Sequence, residues 1–388
     1  MAGVVEASVT EGTPGDASER RPIPQPPGPP VWSPADQAWL VTRHADVAAL
    51  LRDPAFDAAN PADGIRRLTA RTDPEARHLA GLLDGMAIFQ NGATHAAVRP
   101  ILKDYVAGVA SQWPAVAIEA LVAETLAPLA AGTTVDAVAA IADAVPNTMA
   151  ARGLGLPVAD VARLRAMGQE IATIWRPLPP LREARRLEPV AAAVRALLAE
   201  APRTDGRLPL AGTDAVPLAD MEFFIITAVV ETTASALGNA IDLLARRPHL
   251  QDRLRAEPGL MAGFVEEALR LAGPAARLNP RIATARREIG GQVFETGTAV
   301  VAVLESAHRD PLAFPDPETL QLDRRGPPLL AFGGGVHACL GARLARAEMA
   351  ITLQRLVERF RLAPRAEPAR RRASRDMLAF ERLPIALS

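Results

Sequence analysis

The stretch that decides the fold is residues 329–348, Leu-Leu-Ala-Phe-Gly-Gly-Gly-Val-His-Ala-Cys-Leu-Gly-Ala-Arg-Leu-Ala-Arg-Ala-Glu. It contains Cys339, the only cysteine among the 388 residues. Three consecutive glycines, residues 333–335, allow the backbone to take positive φ and to approach another body closely. A helical apolar pattern begins after Gly341. The pattern therefore predicts that Cys339 lies immediately before the start of a helix.

The chemistry expected of Cys339 follows from that position. Unpaired amides and the helix dipole at a helix N-terminus stabilise a thiolate and lower the pKa of the thiol. A thiolate is a soft ligand for iron or zinc and is also a nucleophile. A lone cysteine is otherwise a small buried apolar residue, which is the usual state of a free cysteine. The position alone leaves these alternatives open.

The pattern Phe332-x-x-Gly335-x-x-x-Cys339-x-Gly341 resembles the haem-binding loop of the cytochrome P-450 family, the haem-thiolate monooxygenases. His337, two residues before the cysteine, is part of the resemblance. It implies that Cys339 is the axial thiolate ligand to the iron of haem b, an arrangement that favours cleavage of the O–O bond. It also implies that Phe332, His337 and Gly341 belong to the haem site.

The composition is typical of a globular protein, with 49% apolar residues, 22% charged residues and a net charge of -1. A charge so close to neutral argues against nucleic-acid binding, which depends on many cationic contacts. A single cysteine excludes an intrachain disulfide and is consistent with a reducing compartment. We therefore expect a cytoplasmic protein that does not bind nucleic acid.

Two regions are predicted along the chain. Residues 1–30 form a disordered proline-rich arm, and residues 31–388 form a single domain that the family resemblance covers. The arm has no apolar core long enough for a signal peptide or membrane anchor, so no membrane partner is expected. The resemblance implies a fold that is mainly α with a small β-rich subdomain. Haem would be buried between a long central helix and the cysteine loop.

The long helix is predicted from Leu218 to Arg246, because this stretch lacks proline and lies between Pro217 and Pro248. Its apolar part, residues 223–230, has almost no polar face and should be buried.

Glu231 and Thr232 follow this apolar run, where a carboxylate is costly unless it is paired. The resemblance implies that they are the catalytic acid–alcohol pair on the oxygen-binding side of the haem, with Ala228 and Val229 in the substrate pocket. Val229 replaces the glycine usual in the family and adds β-branched bulk there. From the residues alone, a polar patch with Thr bonded to the preceding turn is the alternative.

His95 and Arg99 are four residues apart and share one helix face, where a solvated pair is the simplest interpretation. The resemblance implies instead that they bind a haem propionate, which an arginine fork and an imidazole suit. His337 and Arg281 complete the implied set of propionate ligands. Pro100 predicts that the helix begins later or kinks there.

Glu267 and Arg270 have the i, i+3 spacing of an ion pair. The resemblance implies a buried structural brace behind the cysteine loop. Its third member falls at Thr319 by register, with Arg324 or Arg325 as the alternatives.

The segment from Pro274 to Asn279 is predicted to be a strand lining the substrate pocket with Ala275, Arg277 and Leu278. An arginine in apolar surroundings needs a partner, which a substrate carboxylate or phosphate could supply. Strand alternation could instead turn Arg277 outward.

The function that the resemblance implies is a monooxygenase that activates O2 and inserts one oxygen atom into a small organic substrate. The chain has no flavin or nicotinamide fingerprint, so electrons would come from a ferredoxin-type donor with its reductase. Lys103, Arg343 and Arg346 are the candidate docking residues for that donor. Two alternatives remain: peroxide-driven or other haem chemistry such as coupling or dehydration, and a non-catalytic haem protein.

Overall fold

The structure is a computed structural model that describes residues 25–69, 77–175, 180–203 and 208–388. Most of the predicted proline-rich arm, residues 1–24, lies outside the described residues. Within the described ranges the predicted fold class is confirmed, since helices dominate and the strands form small sheets.

The helices are numbered in chain order. They are α1 (His44–Arg52), α2 (Pro61–Thr69), α3 (His78–Asp84), α4 (Gly92–Gln112), α5 (Ala115–Leu126), α6 (Ala144–Leu154), α7 (Val158–Ile171), α8 (Leu181–Glu200), α9 (Leu218–Ala245), α10 (Pro248–Ala256), α11 (Met261–Ala272), α12 (Leu304–Ala307) and α13 (Ala342–Arg359). Short 3-10 turns lie at Ala87–Phe89, Ala172–Ile174, Pro258–Leu260 and Gly335–His337, and a π-helical turn at Val138–Ala142.

In the part of the chain that the structure describes, the strands are short and form four small sheets. They are β1 (Val31–Ser33), β2 (Ala38–Val41), β3 (Phe56–Ala58), β4 (Thr133–Asp136), β5 (Arg281–Ala283), β6 (Arg287–Ile289), β7 (Gln292–Phe294), β8 (Ala299–Ala302), β9 (Leu362–Pro364), β10 (Arg370–Arg371), β11 (Phe380–Arg382) and β12 (Pro384–Leu387). The largest sheet has the order β1-β2-β8-β5-β3, with β2 and β8 parallel and the other neighbours antiparallel. The others are β4-β12-β9, β6-β7 and β10-β11.

Helix α9 is the core of the molecule. Its 28 residues span about 42 Å at a rise of about 1.5 Å per residue. Its first half packs in one apolar cluster with α3, α7 and α8, and its second half packs in another with α5, α11 and α13. The helix is long and apolar enough to cross a membrane, but 72% of its most apolar 18-residue stretch is buried inside the fold. It is therefore the buried central helix that the sequence predicts.

Two local expectations differ from the structure. Helix α4 begins at Gly92 and continues past Pro100, so the expected later start is wrong, and the alternative of a kink at Pro100 stays a prediction. Residues 274–279 form no regular strand; only isolated bridges join Ala275 to Met377 and Arg277 to Val303. The regular strand of this region is β5, which begins at Arg281.

Candidate active site

The cysteine loop lies against the end of α1. Gly335 has φ of 64°, and a Cβ there would lie 2.2 Å from the carbonyl oxygen of Leu51, so only glycine fits. The Cys339 amide donates to the carbonyl of Phe332 at 2.9 Å, which closes the loop. Helix α13 begins at Ala342, three residues after the cysteine. Cys339 therefore lies immediately before a helix, as the sequence predicts.

The Cys339 thiol does not have the lowered pKa expected of a helix N-terminus. Burial raises its pKa above the ordinary value, although the amides of Gly341 and Ala342 and the charge of Arg99 and Arg346 act in the opposite direction. Its solvent-accessible surface is nevertheless that of an exposed residue. Protein surrounds the accessible side chain closely enough to disfavour the thiolate. Coordination to a metal cation would therefore be what deprotonates the sulfur.

Four donor side chains meet beside this loop. The rings of His95 and His337 lie with their centroids 4.4 Å apart, and burial together with Arg281 and Arg99 lowers the pKa of both imidazoles. For His337 the pKa falls to about 3. The Arg99 side chain also donates to the carbonyl oxygen of Ala338 in the cysteine loop. The structure therefore brings together all four residues that the sequence predicts as propionate ligands.

This cluster fits a group that carries carboxylates. Within the described ranges, buried Nε2 of His95 and buried Nε of Arg281 have no hydrogen-bond partner. Burial lowers the pKa of Arg281 despite the nearby Asp57, which indicates that its charge is poorly compensated. Two propionates would supply the missing acceptors and negative charge. The unpaired hydrogen-bond donors suit the haem propionates, and the adjacent thiol suits the haem iron.

Helix α9 presents a small polar and apolar surface at its centre. Ala228 is exposed and Val229 and Thr232 are partly exposed, although most of the helix is buried. The Thr232 hydroxyl donates to the carbonyl of Ala228 at 2.7 Å, as an α-helical hydroxyl commonly does. The helix continues through Val229 without interruption. These residues are the predicted distal surface of the haem site.

Glu231 is held by an ion-pair network. Its Oε2 accepts bonds from Arg165 Nε at 2.9 Å and from Gln169 Nε2 at 2.7 Å, both on α7. Its Oε1 accepts a bond from Arg372. Burial alone would raise the pKa of Glu231, but Arg165 and Arg372 hold it below the ordinary value. The acid of the predicted acid–alcohol pair is therefore a paired carboxylate.

The brace is complete in the structure. Arg270 Nε lies 2.6 Å from Glu267 Oε1, and both residues are buried. The third member is Arg324, whose Nε lies 3.0 Å from the same oxygen. Thr319 contributes only its backbone carbonyl, which accepts from Arg270 and Arg324. Arg325 is exposed.

Arg277 does not point to a substrate. Its Nη1 lies 3.0 Å from Asp36 Oδ2, and its side chain is only 4% exposed. Arg375 binds the same carboxylate at 3.1 Å. This internal ion pair contradicts the prediction that Arg277 anchors an acidic substrate. Asp36 lies in the turn between β1 and β2, so Arg277 turns neither to a substrate nor outward to solvent.

The other predicted pocket residues are partly exposed. Ala275 bridges Met377, and the Leu278 amide donates to the carbonyl of Ala302 at 3.0 Å. Their side chains pack at the edge of the cluster that β8 and α1 share. Their place in a substrate pocket stays a prediction.

Sequence reasoning missed the partners of Glu231 and Arg277. Arg165 and Arg372 lie 66 and 141 residues from Glu231, and Asp36 lies 241 residues from Arg277. Pairs so distant have no fixed spacing, so no periodicity could have identified them. The only hint was that a buried carboxylate and a buried guanidinium each need an opposite charge.

Comparisons with known proteins show what this chain is similar to in sequence and fold. A family model described as "Cytochrome P450" matches residues 221–387. Nocardicin C N-oxygenase of Nocardia uniformis subsp. tsuyamanensis is 34% identical over 355 residues, covering 84% of this chain and 82% of the relative. Cytochrome P450-SU2 of Streptomyces griseolus is 33% identical, covering 90% of this chain and 87% of the relative. The crystal structure of CalO2 superposes with a TM-score of 0.78 at 25% identity, covering 93% of each chain.

Proposed function

Because this chain belongs to the cytochrome P450 family, we propose that its site residues carry out the roles that haem-thiolate oxygen chemistry requires. The protein is a monooxygenase that uses haem b, O2, a small organic substrate and electrons from a separate redox partner. The observation that carries the residue assignment is the meeting of one cysteine and four donor side chains at one loop, two of which, His95 and Arg281, have a buried nitrogen without a partner among the described residues.

The proximal residues hold the cofactor. Cys339 is the axial ligand, and Phe332 and Gly341 shape the loop around it. His95, Arg99, Arg281 and His337 hold the two propionates. When bound, haem supplies the activation of O2 and the transfer of one oxygen atom. The amides of Gly341 and Ala342 hydrogen-bond to the sulfur and stabilise its negative charge.

The distal residues handle protons and contact the substrate. Thr232 Oγ1 donates a hydrogen bond to the Ala228 carbonyl and keeps lone pairs that can accept a hydrogen bond from water. Glu231 is the nearest acid in sequence and is anionic in its ion pairs, so it acts by accepting a proton and passing it on. Val229, with Ala228, Ala275 and Leu278, provides an apolar wall for an organic substrate.

The electron donor is proposed to be a ferredoxin-type protein served by a reductase. Lys103 on α4 and Arg343 on α13 are exposed and suit an acidic partner. Arg346 fits this role less well, because it pairs with Glu266 at 2.5 Å and lies 4.3 Å over the Phe332 ring. We also propose a cytoplasmic location and a single haem domain over residues 31–388.

The ferrous–CO spectrum tests the central assignment. The parent protein should show the far-red Soret band of thiolate ligation, and Cys339→Ala should lose it. A normal haem-protein band in freshly folded parent protein would contradict the role of Cys339.

Turnover then separates oxygen chemistry from its alternatives. Substrates are first found by their low-spin to high-spin Soret shift. Turnover with O2 and a reductase chain is then compared with turnover on peroxide alone. Turnover on peroxide alone would favour peroxide-driven chemistry. The bulk of Val229 on the distal side is the reason for testing this alternative.

A further inference from the structure

His308 lies immediately after α12, in a turn that packs behind the cysteine loop. Its ring is buried, and its Nε2 lies 3.0 Å from the backbone nitrogen of Leu330. An amide N–H can only donate, so Nε2 accepts this bond. Leu330 is itself buried and belongs to the lead-in, residues 328–332, which precedes the glycines of the loop. The imidazole of His308 therefore holds the first turn of the loop by one buried hydrogen bond.

The protonation state of His308 suits an acceptor. Burial, helped by His44, Arg270 and Arg309, lowers the pKa of the ring to about 3. The ring is therefore neutral at physiological pH, with its proton on Nδ1 and a free lone pair on Nε2. The neutral ring thus has the acceptor nitrogen that the hydrogen bond from the Leu330 amide requires.

The backbone of His308 belongs to the brace. Its carbonyl oxygen accepts a bond from Arg270 Nη1 at 3.0 Å. Arg270 in turn pairs with Glu267. His308 thus bonds the brace through its main chain and the cysteine loop through its side chain.

His44 grips the same lead-in from α1. Its Nε2 lies 3.1 Å from the carbonyl of Pro328, so this ring donates where His308 accepts. Its amide donates to Asp310 at 2.9 Å. Both rings pack edge-on against Phe314, with centroid distances of 5.4 and 6.3 Å. The two histidines and one phenylalanine form a buried clamp on residues 328–330.

The clamp is connected to the sulfur by two backbone bonds. The carbonyl of Leu330 accepts from the amide of Gly333 at 2.8 Å, and the carbonyl of Phe332 accepts from the amide of Cys339 at 2.9 Å. A shift of Leu330 would therefore move the turn that carries Cys339. We propose that His308, with His44, is a positioning residue that sets the placement of the Cys339 sulfur through Leu330.

The test compares two replacements of the same position in the haem-loaded protein. His308→Gln keeps an acceptor at about the reach of Nε2, whereas His308→Met has similar bulk without a strong acceptor. A donor left buried and unpaired costs about 1–3 kcal/mol, so the Leu330 amide should exchange at least about fivefold faster in His308→Met. His308→Gln should exchange as the parent does. The ferrous–CO spectrum of His308→Met should show a larger share of the band without thiolate ligation.

Phe314→Leu is the control for packing alone, because it loosens the clamp and leaves the Leu330 bond in place. The proposal is overturned if His308→Met matches the parent protein in both readouts, or if Gln and Met variants are equally impaired. A Phe314→Leu variant that reproduces the His308→Met spectrum would overturn it as well. The spectral readout rests on ligation by Cys339, whereas amide exchange does not, so the two failures are distinguishable.

A measurement on the parent protein covers the case in which His308→Met does not fold. The trans-hydrogen-bond nitrogen–nitrogen coupling between the Leu330 amide and His308 Nε2 should be detectable by NMR. A protonated His308 Nε2, or no coupling, would refute the clamp.

Discussion

Glu231 Oε2 accepts a hydrogen bond from Arg165 Nε at 2.9 Å, which joins the centre of α9 to α7. Arg165 is also bound to Asp143 at 2.7 Å, so the guanidinium bridges two acids. The second oxygen of Glu231 is bound to Arg372 near the C-terminal hairpin. The acid beside Thr232 is therefore an anion shared by three parts of the fold.

Replacing this acid should slow turnover more than it weakens binding. Glu231→Gln removes a group that can accept a proton, and such a loss costs about 10²–10⁴-fold. We expect kcat to fall by at least about 10²-fold, whereas the substrate-induced Soret shift keeps its affinity. Glu295→Gln, in an exposed pair with Arg286, is the control and should match the parent protein. A kcat within twofold of the parent would remove Glu231 from the mechanism.

Replacing Arg281 should have opposite effects with and without haem. In the haem-free protein, Arg281 is a buried guanidinium whose charge, among the described residues, only Asp57 offsets, so Arg281→Met should raise the free energy of unfolding. In the haem-loaded protein the same change removes a charged hydrogen bond worth about 1.5–3 kcal/mol, so haem loss should be about 10- to 100-fold faster. Urea unfolding measures the stability of the haem-free protein, and haem transfer to an acceptor protein measures the rate of haem loss. The assignment would be refuted if Arg281→Met lowered the free energy of unfolding of the haem-free protein as well as haem retention. It would also be refuted if Arg286→Met, at an exposed position, gave the same changes as Arg281→Met.

Glu348 on α13 should give the protein a stability that falls as pH rises. Burial raises its pKa from 4.5 to about 8. Between these values the folded state keeps a proton that the unfolded state has lost, so stability declines from pH 4.5 toward pH 8. The full effect is on the order of 5 kcal/mol.

Glu348→Gln should remove this decline and be more stabilising at pH 8 than at pH 5, as urea unfolding of the haem-free protein would show. Glu358→Gln, on an exposed position of the same helix, should leave the pH profile unchanged. A parallel pH profile for Glu348→Gln and the parent would mean that Glu348 is not buried as a neutral acid.

Adjacent arginines should differ sharply in their contribution to stability. Arg324 is 7% exposed and pairs with buried Glu267, whereas Arg325 is exposed. Breaking a buried pair typically costs about 3–5 kcal/mol, so Arg324→Leu should lower the free energy of unfolding by that order. Arg325→Leu should change it by less than about 1 kcal/mol. If the two variants unfold at the same urea concentration, Arg324 is not the third member of the brace.

The Asp36–Arg277 pair should also be structural. Asp36→Ala leaves a guanidinium with 4% exposure short of a partner, and we expect a loss of about 3 kcal/mol or more. Glu381→Ala, which breaks an exposed pair with Arg370, should cost about 0–1 kcal/mol. Acidic ligands and their methyl esters should shift the Soret band alike in the parent protein. A strong preference for the acids would restore Arg277 as a substrate anchor.

The sequence alone determined the elements whose cause is local. The glycines and Cys339 before α13, the proline-free α9, and the i, i+3 pair of Glu267 and Arg270 are all readable because backbone conformation and helical spacing act over a few residues. The family and its haem followed from the same short patterns.

Only the tertiary structure decided which charges meet. Glu231 pairs with Arg165 and Arg372, and Arg277 pairs with Asp36 instead of a substrate. The third member of the brace is Arg324, whereas its neighbour Arg325 is exposed. The tertiary structure also reversed the expected pKa shift of Cys339, because the desolvation around the thiol exceeds the effect of the helix N-terminus. Burial and charge pairing depend on residues that are distant in sequence, and no local pattern contains that information.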